Sequence, residues 1–576
     1  MSKEKIDTKG IKEYNNIKEV IYRAAEEYKD KIAFQIKIKT DKKKETEYEY
    51  ITYTRLLEDI NSLGAMLYSK GYKGKRIAVI GKNRYEWIVS HLANLLGGII
   101  SIPLDKDLQV DELESSLVRS KADAIVFDPK QIEKIEEIKK QNNTKIKEYI
   151  SMEKLDGYSD VRTLIESGKN KKKELKEYKS YEVKDHEMSI LLFTSGTTSM
   201  SKAVMLHQRG IATNIYGLRV LEDINSNDIN IAFLPFHHIF GSTGMLYMIA
   251  CGVKTVFPDG LKYIQKNLNE YHVSVFVGVP VLIEAMYKAV TKEIERQGKT
   301  KLVNNIVKIS NGLRKVGIDL RKVLFKSIIN ALGGSLREIV SGGASADAAV
   351  AKGFENFGVI TVQGYGLTET SPVIAAETPK SIRQGSVGKP FFNQEVEIVN
   401  KDDEGIGEIR VKGPNLMMGY YEMEEKTNEV LKDGWFYTGD LGYIDDDGYL
   451  FITGRSKNLI VLKNGKKIFP EELETMLLRL DEIEECMVFG LPEEDNENDV
   501  KLSVKVVYNQ ELFKNVEKCD IYNSIWEKIK EINKTFPKYK HIVNLMITDQ
   551  ELIKTTTKKV KRQEEMKVIL NELKGE

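Results

Sequence analysis

Short apolar bursts alternate with longer amphipathic stretches along most of the chain. KRIAVIG (75–81) leads into RYEWIVSHLANLLGG and then IISIPL, and ADAIVFD follows a further helical segment. This strand–helix–strand rhythm predicts parallel sheets covered by helices on both faces. The segment 168–187, GKNKKKELKEYKSYEVKDHE, is lysine-rich and polar and reads as a solvated connection before the strand SILLFTSG (189–196). From about Val387 the texture changes to short strands and turns, GEIRVKGP, DGWFYTGD and DDDGYLFITGR, which predicts a small β-rich subdomain. After Arg455, the pattern NLIVLKNGKKIFPEELETMLLRL, CMVFGLPE and KLSVKVVY predicts an α+β domain of about 120 residues, an ordinary domain size. The expected fold is α/β: a large N-terminal domain over 1–456, with stacked, mostly parallel sheets, helices and the β-rich subdomain, then a smaller α+β domain over 457–576.

Composition narrows the class. Hydrophobic residues make up 41% and charged residues 30% of 576, which excludes whole-chain disorder, collagen-like repeats and coiled coil. Lys and Arg number 87 against 86 Asp and Glu, so no global charge draws the chain to nucleic acid, and no nucleic-acid partner is expected. The three cysteines, Cys251, Cys486 and Cys519, are far apart and without CxxC spacing, which argues for a reducing compartment. The amino terminus lacks the apolar core of a secretory signal. Of the most apolar stretches, His91 to Leu104 is glycine-broken, and Val273 to Val290 contains Pro280 and Glu284. Neither reads as a span of about 20 apolar residues. The expectation is a cytoplasmic protein with no transmembrane segment, and peripheral membrane contact and oligomeric state are left open.

The first chemical signal is LLFTSGTTSMSKAVMLHQ (191–208), in which hydroxyl and glycine residues follow a strand and precede Lys202. Backbone N–H groups of such a loop can form an anion nest, with hydroxyl donors and a lysine charge added. It is not a GxxxxGK[ST] loop, and Gly298-Lys299-Thr300 has Glu293 where the first glycine would stand. No GxGxxG lies between a strand and a helix, and HExxH and GxSxG are absent.

The loop resembles the phosphate signature TSGTTGxPKG of the adenylate-forming enzymes: acyl-CoA synthetases, luciferases and peptide-synthetase adenylation domains. The family's other motifs follow in order across almost the whole chain: SGGAS (341–345), QGYGLTET (363–370), GWFYTGD (434–440), GRSKNLIVLKNGKKIFPEELE (454–474) and KTTTKKVKR (554–562). The resemblance implies a two-step reaction. A carboxylate attacks the α-phosphate of ATP, releasing pyrophosphate, and a thiol then displaces AMP to give a thioester.

The same resemblance implies the residue roles. Thr194, Ser195, Gly196, Thr197, Thr198 and Lys202 would hold the β- and γ-phosphates, and Glu369 with Thr194 would bind Mg²⁺. Gly343, Ala344, Gln363, Gly364, Tyr365 and Gly366 would surround adenine and the α-phosphate, and Thr368 would donate to that phosphate. Asp440 and Arg455 would hold the ribose, with Ile452 beside the nucleotide. Lys559 would bridge carboxylate and α-phosphate during adenylation, and Lys457 would be the hinge about which a mobile C-terminal domain turns between half-reactions. His238, Phe240, Gly278 and Val279 would line the acyl pocket, with His238 the counterpart of the family's characteristic histidine in FLPFHHIFG (233–241). Catalytic weight thus falls on Lys559, Glu369, His238 and Lys202.

Details such as GKNRYEW, IPLDKDL, GVPVLIEAMY and a lysine-rich helical insert from Thr291 to Asn330 resemble bacterial long-chain fatty acid–CoA ligases. The apolar or small pocket candidates suit an alkyl chain. The expected activity is activation of a medium- or long-chain fatty acid with ATP and Mg²⁺, then thioesterification with CoA. The alternatives are transfer to a carrier protein, activation of an aryl or other carboxylic acid, or a non-catalytic nucleotide-binding homologue. Two departures bear on this. Ser199, Ser201 and Ala203 replace the loop's usual glycine, proline and glycine, and no tryptophan follows His238 to gate a long chain, the three being Trp87, Trp435 and Trp526.

Overall fold

The computed structural model describes residues 7–8, 10–38, 46–194, 201–344, 346–462, 466–493, 496–554 and 559–574. The chain divides into two compact units. The first comprises Met1–Thr194, Lys202–Glu395 and Lys412–Phe436, and the second comprises Ser195–Ser201, Val396–Val411 and Tyr437–Glu576.

The first unit holds two large sheets. The nine-stranded sheet runs in the order Lys389–Pro390, Val373–Ala376, Ile360–Gly366, Glu338–Gly342, Val275–Gly278, Ile229–Ile231, Lys254–Val256, Ile32–Lys37 and Tyr48–Thr52. The eight-stranded sheet runs Gly419–Tyr420, Lys202–His207, Met188–Thr194, Ile100–Leu104, Arg76–Ile80, Ala124–Phe127, Glu148–Ser151 and Ser159–Asp160. At its centre Arg76–Ile80 pairs in parallel with Ile100–Leu104 on one side and Ala124–Phe127 on the other. Ile77 to Ile80 and Ala124 to Phe127 are buried without a break. A parallel strand covered on both faces needs such an unbroken apolar run, not alternation. Helix Tyr85–Leu96 is buried along its whole length, as expected of a helix enclosed on every side.

The topology brings three motifs to one sheet edge. The parallel strands Val275–Gly278, Glu338–Gly342 and Ile360–Gly366 end in register, with Gly278 beside Ser341 and Ser341 beside Gln363. The carboxyl ends of parallel strands are where α/β sheets bind ligands, because side chains and loops there project past the last ladder hydrogen bonds.

One expectation is corrected. Residues 168–187 are not simply a solvated connection: helix Val161–Lys169 runs into this segment and helix Lys172–Ser180 lies within it. Tyr178 is fully buried, its hydroxyl donating to the Ala93 carbonyl at 2.8 Å. A Cβ added at Gly64 or Gly97 would stand 2.1 or 2.3 Å from its ring. The segment docks through one aromatic peg into a slot of two glycines, while its lysines stay in water, so its average polarity conceals the contact.

In the second unit Ile483–Glu493 and Asn496–Tyr508 form an antiparallel pair, and Asn544–Thr548 adds in parallel to the latter. Alternate residues serve opposite faces. Val488, Val504 and Val506 pack with Leu473, Leu477, Ile521, Ile525 and Ile529 of two helices, Pro470–Leu477 and Lys518–Asn533. Met487, Phe489 and Val507 pack with Leu552 and with Ile569 of helix Arg562–Lys574. Among the described residues, no helix is long and apolar enough to cross a membrane.

Candidate functional site

In the first unit Thr194 ends its strand and Lys202 begins the next, paired in register with it. The Thr194 hydroxyl donates to the Lys202 carbonyl at 3.2 Å. Lys202 Nζ stands 4.4 Å from the centroid of the Tyr420 ring, within cation–π range. The Tyr420 hydroxyl in turn donates to Glu369 Oε1 at 2.9 Å. Glu369 sits in the single 3₁₀ turn Thr368–Thr370, and its carbonyl accepts from the Met417 N–H at 2.8 Å. A cation, an aromatic ring and a carboxylate are thereby assembled from three separate chain segments. The phosphate-loop candidates Ser195, Gly196, Thr197 and Thr198 lie outside the described residues, as does Ser199.

Gln363 to Glu369 are all half-buried, so this segment lies open to a ligand along its length. That includes Gly364, Tyr365, Gly366 and Thr368. Gly366 admits no side chain, because a Cβ there would come within 1.7 Å of the Pro372 carbonyl. Gly343 has φ +84°, a left-handed conformation that favours glycine, and Ala344 beside it is exposed. A Cβ at Gly342 would stand 2.9 Å from the Phe240 ring, and one at Gly343 would reach Val279 Cγ1 at 3.8 Å. Phe240 and Val279 thus lie against the glycine loop, and both pack on the apolar cluster of Val275, Val277, Tyr247 and Met248. Gly278 is closed off by the Phe276 ring, 2.6 Å from where its Cβ would be. His238 stands half-buried at the N-cap position of helix Ile239–Ala250, its backbone N–H donating to the Pro235 carbonyl at 3.1 Å.

In the second unit Asp440 and Arg455 face each other across two antiparallel strands, Trp435–Ile444 and Leu450–Arg455. Arg455 Nε lies 2.9 Å from the buried Asp440 Oδ1. Ile452, half-buried, pairs with Gly442 on the same ladder. Lys457 is exposed in the 3₁₀ turn Ser456–Asn458. Lys559 is brought close to Asp440, Arg455 and Lys457. Desolvation first, then the like charges of Arg455 and Lys457, lower its ammonium to about 8 against the opposing pull of Asp440.

The segment that carries Lys559 is fixed at its flanks. Lys554 and Val560 form a β-bridge, and the Lys561 N–H donates to the Ile553 carbonyl at 2.7 Å. Arg562 donates to both oxygens of Glu474, at 2.6 and 2.5 Å, and to the Val488 carbonyl at 3.0 Å. Lys554 pairs with Glu485. Thr555 to Lys558 lie outside the described residues.

Sequence reasoning missed three groups. Tyr420 lies in KGPNLMMGYY, where only the aromatic pair after glycine hinted at a site. His237, beside His238, has Nε2 3.4 Å from Asp105 Oδ2, an ion-pair separation without hydrogen-bond alignment, and both are largely buried. Glu377 accepts from the Gln363 and Arg383 N–H groups at 3.1 and 2.9 Å, and burial pushes its carboxyl up to about 7. Nothing local in the sequence marks a partner so distant in the chain.

A hard cation such as Mg²⁺ takes one or two carboxylates and completes its shell with water and phosphate oxygens. Glu369, with the Tyr420 hydroxyl beside it, fits that demand. Among the described residues, His, Cys, Asp and Glu gather in no cage of three or more.

A family model described as AMP-binding enzyme matches residues 21–421, and one described as AMP-binding enzyme C-terminal domain matches residues 457–573. Among curated proteins, long-chain-fatty-acid–CoA ligase 5 of Mus musculus is 28% identical over 475 residues, covering 77% of this chain and 69% of that protein. A chloroplastic long-chain-fatty-acid–[acyl-carrier-protein] ligase of Arabidopsis thaliana is 27% identical over 514 residues, covering 76% and 70%. Among solved structures, an anthranilate CoA ligase in complex with anthranoyl-AMP superposes with TM-score 0.77 at 19% identity, covering 98% of this chain and 99% of that one. O-succinylbenzoate coenzyme A synthetase from Bacillus subtilis, with ATP and magnesium ion, gives 0.70 at 22% identity, covering 95% and 99%. These structural likenesses show the fold.

Proposed function

This chain belongs to the AMP-binding enzyme family, and from that premise we propose that it is a ligase that activates a medium- or long-chain fatty acid as its acyl-adenylate and passes the acyl group to CoA. The observation that carries the reading is the Lys202–Tyr420–Glu369 assembly. A cation and a carboxylate on one aromatic ring supply the two charges that a triphosphate with its Mg²⁺ requires.

In the first half-reaction a carboxylate oxygen attacks the α-phosphorus and the bond to the departing pyrophosphate breaks. Two anions must meet, so the chain's task is to neutralise charge and fix geometry. Lys202, with Ser195, Gly196, Thr197 and Thr198, holds the β- and γ-phosphates. Bound at Glu369 and Thr194, Mg²⁺ would draw charge from the phosphate oxygens. Gly343, Ala344, Gln363, Gly364 and Gly366 let backbone approach the adenine and α-phosphate, Tyr365 stacks on the base, and Thr368 donates to the phosphate. Asp440 accepts from the ribose hydroxyls beside Arg455, with Ile452 flanking. Lys559 donates to the carboxylate and α-phosphate as charge builds.

In the second half-reaction the thiol attacks the acyl carbonyl and AMP leaves. Lys457 serves as the hinge of a mobile domain over 457–576, since a pivot needs backbone tolerance and no special chemistry. His238 orients the carboxylate, and Phe240, Gly278 and Val279 line an alkyl pocket with no charge partner for the chain. The long-chain ligases among the relatives support the acid class, and the reading places the enzyme in the cytoplasm.

A second acceptor, an acyl carrier protein, is favoured by the Arabidopsis relative's name. Pyrophosphate release from ATP and Mg²⁺ across acids from acetate to oleate, and several aryl acids, separates these readings. CoA-dependent turnover peaking on fatty acids is the expected result. Release that stops at one equivalent and ignores CoA would indicate a carrier protein, and turnover on aryl acids alone would overturn the fatty-acid reading.

A further inference from the structure

The helical insert that precedes the SGGAS loop carries a pattern that the reaction does not use. Lys301-Leu302, Lys308-Ile309, Lys315-Val316 and Lys322-Val323 repeat a lysine–aliphatic pair every seven residues, and all eight side chains are exposed. The first two pairs lie on helix Thr300–Arg314, where seven residues are two turns and therefore one face. The third pair lies in the turn that follows, held by Val316 and Ile318 N–H groups donating to the Leu313 carbonyl. The fourth lies on the short helix Arg321–Leu324.

The exposure is large for aliphatic residues: Leu302 57%, Ile309 61%, Val316 72% and Val323 73%, with Ile318, Leu320 and Leu324 also exposed. The opposite side of the insert is its anchor. Val303, Ile306 and Val307 pack with Phe325, Ile328, Phe354 and Phe357. Arg314 pairs with Glu355 at 2.8 Å, and Arg321 binds Asp319 and the Glu355 carbonyl. The insert is thus ordered by one face while the other presents aliphatics to water. Among the described residues none of the four repeat lysines forms an ion pair. Residues 299–326 hold eight basic side chains and one acidic, Asp319, so the segment carries +7 in a chain whose total is +1.

We propose that this face of the insert docks the protein onto an anionic lipid surface. Lysines at the level of acidic headgroups, with aliphatic neighbours reaching the acyl boundary, are what a bilayer interface selects, and a neutral protein groove would not call for seven excess positive charges. The docking does not depend on which acid the enzyme activates, so it is tested without substrate.

Co-sedimentation of the full chain with vesicles of phosphatidylglycerol and phosphatidylcholine is expected to exceed that with phosphatidylcholine alone by at least tenfold in affinity, and to weaken in high salt. Each lysine near such a surface contributes roughly a fivefold factor, so the charge reversal K301E/K308E/K315E/K322E is expected to abolish binding. V316D/V323D, which keeps the lysines, is expected to weaken it at least tenfold. Unchanged circular dichroism and an unchanged thermal unfolding midpoint would show that both variants are folded. Equal binding to both vesicle types, or wild-type binding by either variant, would overturn the proposal. So would wild-type protein that stays in the supernatant and instead dimerises through this face.

Discussion

In the first unit Lys202, Tyr420 and Glu369 hold one another, each anchored at a strand end or a tight turn beside a large sheet. In the second, the segment that carries Lys559 is fixed on either side of it, through the Lys554–Val560 bridge and the Arg562–Glu474 pair. On the proposed function, the first arrangement fixes charges for binding. The second keeps a lysine among two other cations, near Asp440, at the end of a tethered segment. Packing locks a group that must always stand in one place, whereas a group serving only one half-reaction is better carried on a segment whose anchor lies beside it. If that contrast is real, substitutions in the two regions differ in kind.

Lys559→Ala removes the proposed donor to the developing charge and is expected to slow adenylation by about 10²–10³ while ATP still binds. Pyrophosphate release together with equilibrium nucleotide binding reads both, and a loss of binding equal to the loss of rate would erase the contrast. Arg562→Ala leaves the carboxylate of Glu474, 14% exposed, without its cation. Breaking such a pair costs about 3–5 kcal/mol, and the loss should appear in denaturant unfolding of the second unit while the first keeps its midpoint. A single unshifted transition would mean that Arg562 is no anchor.

Tyr420→Phe keeps the ring under Lys202 and removes the hydroxyl that donates to Glu369. Such a bond to a charged group is worth roughly 1.5–3 kcal/mol, so kcat/KM for ATP should fall at least tenfold, and an unchanged value would uncouple the pair. The smallest effect is on pH. Lys559 must be protonated to donate, and its ammonium is lowered to about 8, so adenylation should decline as pH rises through that region. In Lys559→Arg the side chain stays charged and the limb should move up by more than a unit. A limb that stays near 8 would belong to another group.

The motifs that define both regions stand in the linear sequence, and so does the strand–helix rhythm behind the two large sheets. They are legible because loops that meet a nucleotide need particular residues at short spacing, and because a doubly covered strand must be apolar throughout, as in Ile77 to Ile80. Gly366 illustrates the same logic, since any side chain there would strike the Pro372 carbonyl six residues away. Other features were hidden by distance. Tyr178 sits in a polar stretch that averages to solvent, and its slot is made by Gly64 and Gly97. Tyr420 finds Glu369 from 51 residues away and Lys202 from across a strand pair. Glu377 is marked only by burial beside the strand that carries Gln363.

The sequence by itself therefore determined the α/β class, the order of the motifs and the chemistry they imply, because local spacing and hydrophobic period are properties of the chain. Only the tertiary structure decided which side chains share a charge, which glycine faces a ring and which lysines remain in water beside bare aliphatics. Those depend on long-range packing, where contacts between residues far apart in sequence set the dielectric and the partners of each group.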